Sequence, residues 1–164
     1  LERREYDQAE NALFAMVLAH AVATGPEPRD LYQTIVEWAV DMQAGPALMD
    51  AIQAAALAPP ADYVRQQGWV LIALQNALWQ LIHAGNFTSG VVDTVMRGGD
   101  TDTNAAICGA LLGAVYGLDA VPAQWLDAIL NCRPKVGQPG VHRPRPECFW
   151  PVDALELARR LCSP

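Results

Sequence analysis

Residues Gly68 to Ala84 read GWVLIALQNALWQLIHA, and this run decides the fold class. On a helix of 3.6 residues per turn, Trp69, Ile72, Leu74, Leu78, Trp79 and Ile82 ring the axis almost completely. A helix that is apolar all round is buried all round, so this run is expected to be the central helix. Outward from it the apolar spacing stays helical. Towards the N-terminus, Ala9 to Ala23 places Leu13, Met16 and Val17 on one stripe, which Gly25, Pro26 and Pro28 end. A second helix follows, with Asp30 as its expected cap and Ile35, Trp38 and Ala39 inward, and it stops at Gly45-Pro46. A third, alanine-rich, spans about Ala47 to Ala58 ahead of Pro59-Pro60. Towards the C-terminus, Thr88 is the expected cap of a short helix to Met96. A small-residue helix then runs from about Ala105 to Tyr116, with Gly117 closing it. Pro122 opens another short helix through Ile129. Residues 131 to 151 hold five prolines and two glycines and should be irregular, and Asp153 caps a last helix to about Leu161. No strand-like alternation occurs. The reading is all-α, with residues 1–164 forming a single helical domain.

Composition narrows the function. The chain has 164 residues, 52% hydrophobic and 18% charged, which is too apolar for a disordered protein and long enough to bury a core without disulfides or metals. Eleven Lys and Arg against 18 Asp and Glu give a net charge of −7. The cations show no cluster along the sequence, so a nucleic-acid partner is not expected. No charge-free apolar run is long enough to span a bilayer, and Leu1 to Asp7 carry no apolar core of a signal peptide, so no membrane association is expected. Cys108, Cys132, Cys148 and Cys162 lack the spacing of a zinc site. They are expected to be reduced thiols in a cytoplasmic chain.

One loop carries chemistry: Gly98-Gly99-Asp100-Thr101-Asp102-Thr103-Asn104. Two carboxylates and a hydroxyl are hard oxygen donors of the kind Mg²⁺, Mn²⁺ and Ca²⁺ prefer, and the glycine pair permits a turn tight enough to bring them to one point. The same residues also suit a plain helix start, with Asp102 or Thr103 capping and Asp100 making a turn. Spacing alone leaves both readings open. An EF-hand is excluded, because its sixth position would be Ala105 rather than glycine and its twelfth Leu111 rather than glutamate. A phosphotransfer D-x-D-x-T motif fails as well, since no apolar strand precedes the loop and Asn104 holds the last position.

The stretch Arg97 to Gly117, RGGDTDTNAAICGALLGAVYG, resembles the C-terminal metal motif of the ADP-ribosylglycohydrolase family, the group that includes the dinitrogenase-reductase-activating glycohydrolase. The flanking Gly68–Leu81 helix agrees, as do Pro122 with Trp125 and the Arg143-Pro144-Arg145-Pro146 segment, so the likeness covers most of residues 65 to 160. The resemblance implies an orthogonal helical bundle around two Mg²⁺ or Mn²⁺ ions, with Asp100, Asp102 and Thr103 as metal ligands and Asp102 touching both. It implies hydrolysis of the bond joining ADP-ribose to a side chain, commonly arginine or serine. The substrate would be an ADP-ribosylated protein or a small molecule containing ADP-ribose. Family members carry a further Thr-Asp-Asp cluster, and none occurs here. The chain is therefore expected to be the C-terminal half of such an enzyme, inactive without an N-terminal half. The alternative is a non-catalytic relative acting as a binding or structural module. No catalytic or substrate-binding residue is assigned beyond the three ligands.

Other side chains have ordinary expectations. His20 reads as structural and His83 as favouring the C-terminal dipole of the central helix, while His142 has no assignment. Trp69, Trp79 and Trp125 are expected in the core, and Cys108 is expected to be buried and inert. Asn104 suits either a turn or support of a metal ligand. Tyr116 suits either packing or a cleft wall.

Overall fold

The computed structural model describes residues 2–162, with side chains from Ala9 onward. Eight α-helices follow one another: α1 (Glu2–Thr24), α2 (Pro28–Asp41), α3 (Pro46–Leu57), α4 (Val70–His83), α5 (Phe87–Met96), α6 (Thr101–Tyr116), α7 (Ala123–Leu130) and α8 (Ala154–Cys162). Single 3₁₀ turns lie at Leu118–Ala120, Glu147–Phe149 and Pro151–Asp153. No strand occurs among the described residues, so the all-α reading holds. The helices fall into two compact units, residues 1–120 and Val121–Pro164.

In the first unit α4 is central. It buries Leu71, Ile72, Ala73, Leu74, Ala77, Leu78 and Leu81, and packs chiefly on α3 and α6. Leu13 and Val17 of α1, Leu31 and Ile35 of α2, Leu48 and Ile52 of α3, and Leu111 and Leu112 of α6 complete the core. Small residues let α5 and α6 approach closely. A Cβ on Gly90 would sit 2.5 Å from Leu112 Cδ1, so any larger residue there would have to push that side chain aside.

Several helix starts differ from the sequence expectation. Proline begins α2 and α3, where its missing N–H costs nothing, and Asp30 sits inside the first turn of α2, favourable for the helix dipole, rather than capping it. Asn86 caps α5, its Oδ1 accepting from the Ser89 N–H at 2.8 Å, where Thr88 was expected. The helix expected from Ala105 begins at Thr101, so the whole Thr101–Asn104 run is its first turn. The tryptophans also depart from expectation. Trp69 is 41% exposed, and Trp79 and Trp125 are half-buried. Trp79 lies on the flank of α4, where its ring stacks on His83 at 3.6 Å between centroids, because the smaller Leu and Ala side chains already fill the faces against α3 and α6. His83 Nδ1 donates to Trp79 O at 3.0 Å, which ties the ring to the last turn.

The second unit contains no fully buried residue among those described. In it α7 and α8 both pack on the Pro151–Asp153 turn, and the proline-rich stretch between them is irregular apart from the turn at Glu147–Phe149. No described helix is long and apolar enough to cross a membrane, and Cys108, Cys132, Cys148 and Cys162 are all free thiols.

Candidate metal centre

The turn before α6 is shaped by Gly98 and Gly99, with φ of +79° and +72°. Gly99 has a second reason to lack a side chain. Its Cβ would fall 1.9 Å from the carbonyl oxygen of Tyr63, so the turn lies directly on the backbone of the α3–α4 connection. Asp100 occupies the cap position of α6, and Asn104 N–H donates to its carbonyl at 3.0 Å, yet its carboxylate makes no capping bond. Asp100 makes the turn that the spacing also allowed, with Thr101 N–H donating to Gly99 O at 3.0 Å across it, and its carboxylate is left out of the helix cap.

Asp100 and Asp102 come together. A hydrogen bond with Asp100 is the largest influence on the Asp102 carboxyl. The N–H groups of Asp102 and Thr103 also point at it, and together they hold it below the usual carboxylate range. Asp102 and Thr103 are exposed and Asp100 is half-buried. Asp100 Oδ2 faces Gly68, where a Cβ would stand 3.9 Å away. A cleft of about 620 Å³ opens beside that glycine, lined by Asn11 and the run from Arg65 to Val70. Hard oxygen donors on an exposed first turn suit a divalent cation.

Among the described residues no three His, Cys, Asp or Glu side chains converge on one point. The donor set fits a divalent ion, but only as part of a coordination shell.

Beneath the turn lies a polar network that the sequence reading did not identify. Tyr63 Oη donates to Asn76 Oδ1 at 2.7 Å, Asn76 Nδ2 donates to Thr94 Oγ1 at 2.9 Å, and Thr94 Oγ1 donates to Gly90 O at 2.8 Å. Alongside, Asp93 accepts from Gln80 Nε2 and, at 2.7 Å, from Arg97 Nε, and Arg97 lies 5.8 Å from the centroid of the Tyr63 ring. Burial works to raise the Asp93 carboxyl, but the bonds from Arg97 and Gln80 outweigh it and leave it below its ordinary value. The available signal was Asn76 and Gln80, amides four residues apart on one face of a mostly apolar helix, both buried.

Nearby groups take plain structural roles. Cys108 is buried against Gly90 O, and burial pushes its thiol up to about 11, so it is inert as expected. Tyr116 Oη donates to Ala84 O at 3.4 Å and so packs. His20 meets Trp38 edge-on at 5.3 Å.

A sequence profile for ADP-ribosylglycohydrolase matches residues 4–161. The chain belongs to the ADP-ribosylglycohydrolase family. It is similar to a protein of Acanthamoeba polyphaga mimivirus named for ADP-ribosyl glycohydrolase activity, with 39% identity over 66 residues, 40% of this chain and 20% of the relative. The ADP-ribosylarginine hydrolase Tri1 of Serratia proteamaculans is 33% identical over 70 residues, 43% of this chain and 19% of the relative. The ADP-ribosyl-[dinitrogen reductase] glycohydrolase of Rhodospirillum rubrum is 34% identical over 65 residues, 40% and 22% respectively. The chain thus spans about a fifth of the length of the curated relatives it matches. No solved structure matches it.

Proposed function

We propose that this ADP-ribosylglycohydrolase chain supplies Asp100, Asp102 and Thr103 to a binuclear Mg²⁺ or Mn²⁺ centre that removes ADP-ribose from a modified side chain of a protein or from a small molecule. The observation that carries this reading is the hydrogen bond linking the Asp100 and Asp102 carboxyls at the start of α6, with Asp100 making no capping bond and its Oδ2 facing Gly68. The names of the relatives, which act on ADP-ribosylated arginine or on dinitrogen reductase, supply the substrate class.

When bound, such a pair of ions supplies Lewis acidity towards the vicinal hydroxyls of the ribose and lowers the pKa of water. The residues of the chain prepare the place for this. The bond with Asp100 and the first-turn N–H groups favour the ionised form of Asp102, Gly99 on Tyr63 fixes the height of the turn, and Gly68 leaves the Asp100 carboxylate uncovered. The cleft beside Gly68 offers the substrate room next to these carboxylates. In the net reaction the bond from the anomeric carbon to the acceptor atom breaks, water delivers hydroxyl to that carbon, and its proton leaves with the acceptor. Divalent ions of this kind take about six oxygen ligands, so three protein donors make half a site at most. Further acidic ligands from a separate N-terminal half belong to this reading.

Calorimetric titration with Mn²⁺ tests it. The chain should bind weakly, with Kd on the order of 0.1–1 mM, as expected for an incomplete oxygen shell. Asp102→Asn should abolish binding with the helix content unchanged, and Asp100→Asn should weaken it less. Adding the N-terminal half of a relative should raise Mn²⁺ affinity and yield turnover of ADP-ribosylarginine. Binding or complemented turnover that survives Asp102→Asn would overturn the reading. Mn²⁺ binding without any complemented turnover would place the chain with the non-catalytic relatives.

A further inference from the structure

The absence of a basic cluster, expected from the sequence, does not hold in the second unit. Six of the 11 Lys and Arg lie in Val121–Pro164, against four of the 18 Asp and Glu. Two of these cations are folded onto one indole. Arg133 lies 6.0 Å and Lys135 5.3 Å from the centroid of the Trp150 ring. The convergence is built rather than incidental. Lys135 N–H donates to Arg133 O at 2.8 Å, a three-residue turn about Pro134 that brings both side chains round. Arg133 Nη1 donates to Leu130 O at 2.8 Å, anchoring the guanidinium on the C-terminus of α7. Trp150 Nε1 donates to Arg145 O at 2.9 Å, and Arg145 N–H donates to Pro134 O at 2.9 Å, so the ring and the turn are fastened to the same strap.

Among the described residues no carboxylate lies within 4.0 Å of Arg133 or Lys135. Two like charges gathered at one ring repel each other, and the ring attracts each only weakly. An anion bound at this ring would relieve that repulsion.

We infer that Arg133, Lys135 and Trp150 form an anion-binding site for a phosphate or diphosphate group. A planar guanidinium engages two oxygens at once and an ammonium acts as a point charge, so a phosphoryl group, with three oxygens to share, satisfies both where a two-oxygen carboxylate satisfies one. The net charge of −7 repels an extended polyanion, whereas a small dianion meets mainly the local cations. None of these residues belongs to the Asp100–Thr103 motif, so the inference stands apart from the proposed hydrolase chemistry.

The test is a titration of the full chain with pyrophosphate at constant ionic strength, read on the Trp150 indole N–H resonance in a ¹H–¹⁵N spectrum and assigned with Trp150→Phe. The shift should saturate. Lys135→Gln should weaken binding roughly tenfold, as loss of one charge-assisted contact implies, and Arg133→Gln at least as much. Lys135 is exposed, so its variant keeps the fold, which unchanged resonances from the other indoles will show. ADP-ribose in a parallel titration identifies the source of the group. Affinity at or above that for pyrophosphate assigns the site to a nucleotide diphosphate, and lower affinity assigns it to the free anion. A shift that does not saturate, or that saturates equally in Lys135→Gln, overturns the site. Asp102→Asn should bind pyrophosphate as the parent does, so failure here and failure of the metal centre are read separately.

Discussion

At Gly99 two physical constraints coincide, and they can be separated from those at its neighbour. Both Gly98 and Gly99 have positive φ, which costs an ordinary L-residue about 1–2 kcal/mol. A Cβ on Gly98 meets nothing within 4 Å, whereas one on Gly99 meets the Tyr63 carbonyl, a backbone atom that cannot swing aside. Gly98→Ala should therefore cost only the conformational penalty. Gly99→Ala should cost about 2–5 kcal/mol in urea unfolding, since overpacking adds roughly 1–3. It should also lower Mn²⁺ affinity, because the turn carries Asp100. Equal losses at the two glycines would show that the contact with Tyr63 does not hold the turn. The sequence made plain that the pair permits a turn. Which glycine touches something depended on Tyr63, far earlier in the chain, and no local pattern reports that.

Helix α4 shows both what periodicity reveals and what it hides. Its apolar ring predicted a central helix correctly. Periodicity weighs a side chain by hydrophobicity and not by volume, so Trp69 and Trp79 were placed in the core although leucines and alanines fill it. It also passed over Asn76 and Gln80, whose partners Tyr63, Thr94 and Asp93 lie on other elements. The Asn76 network sets a pH dependence. Burial, above all, pushes the Tyr63 phenol up to about 12, with Arg97 opposing and Asp93 adding to the rise. The folded value exceeds the ordinary 10.0, so the folded chain keeps a proton that the unfolded chain releases. This contribution is complete below pH 10 and disappears as pH rises from 10 towards 12. Unfolding midpoints across that window should fall steeply for the parent and more gently for Tyr63→Phe, with the residual slope including Tyr32, which burial also raises. Tyr63→Phe should be the less stable at pH 7, having lost its bond to Asn76. Parallel slopes for the two proteins would remove Tyr63 as the alkaline group.

Across the whole molecule, the family was legible because its most specific motif, RGGDTDTN, is contiguous in sequence, and the polar network beneath that motif was not legible because it is assembled from separated segments. The two units differ most in what they bury. Every fully buried residue described lies in residues 1–120, while in Val121–Pro164 the apolar Ile129, Phe149, Leu157 and Leu161 are 50%, 72%, 52% and 77% exposed. Burial of apolar area is the main term favouring order, and conformational entropy opposes it at every residue, so local opening should be far easier where no side chain is fully enclosed. Hydrogen exchange on the intact chain should then resolve two levels. Amides of α4 between Leu74 and Leu81 should approach the global limit, and those of α8 should exchange at least about a hundredfold faster after correction for sequence, a difference of about 2.7 kcal/mol in opening free energy. Pyrophosphate should slow exchange around Arg133 to Lys135 and leave α4 unchanged, since a ligand stabilises only the states that bind it. Protection in α8 equal to that in α4 would mean that the second unit opens only with the first, and burial within each unit would not be what sets local stability.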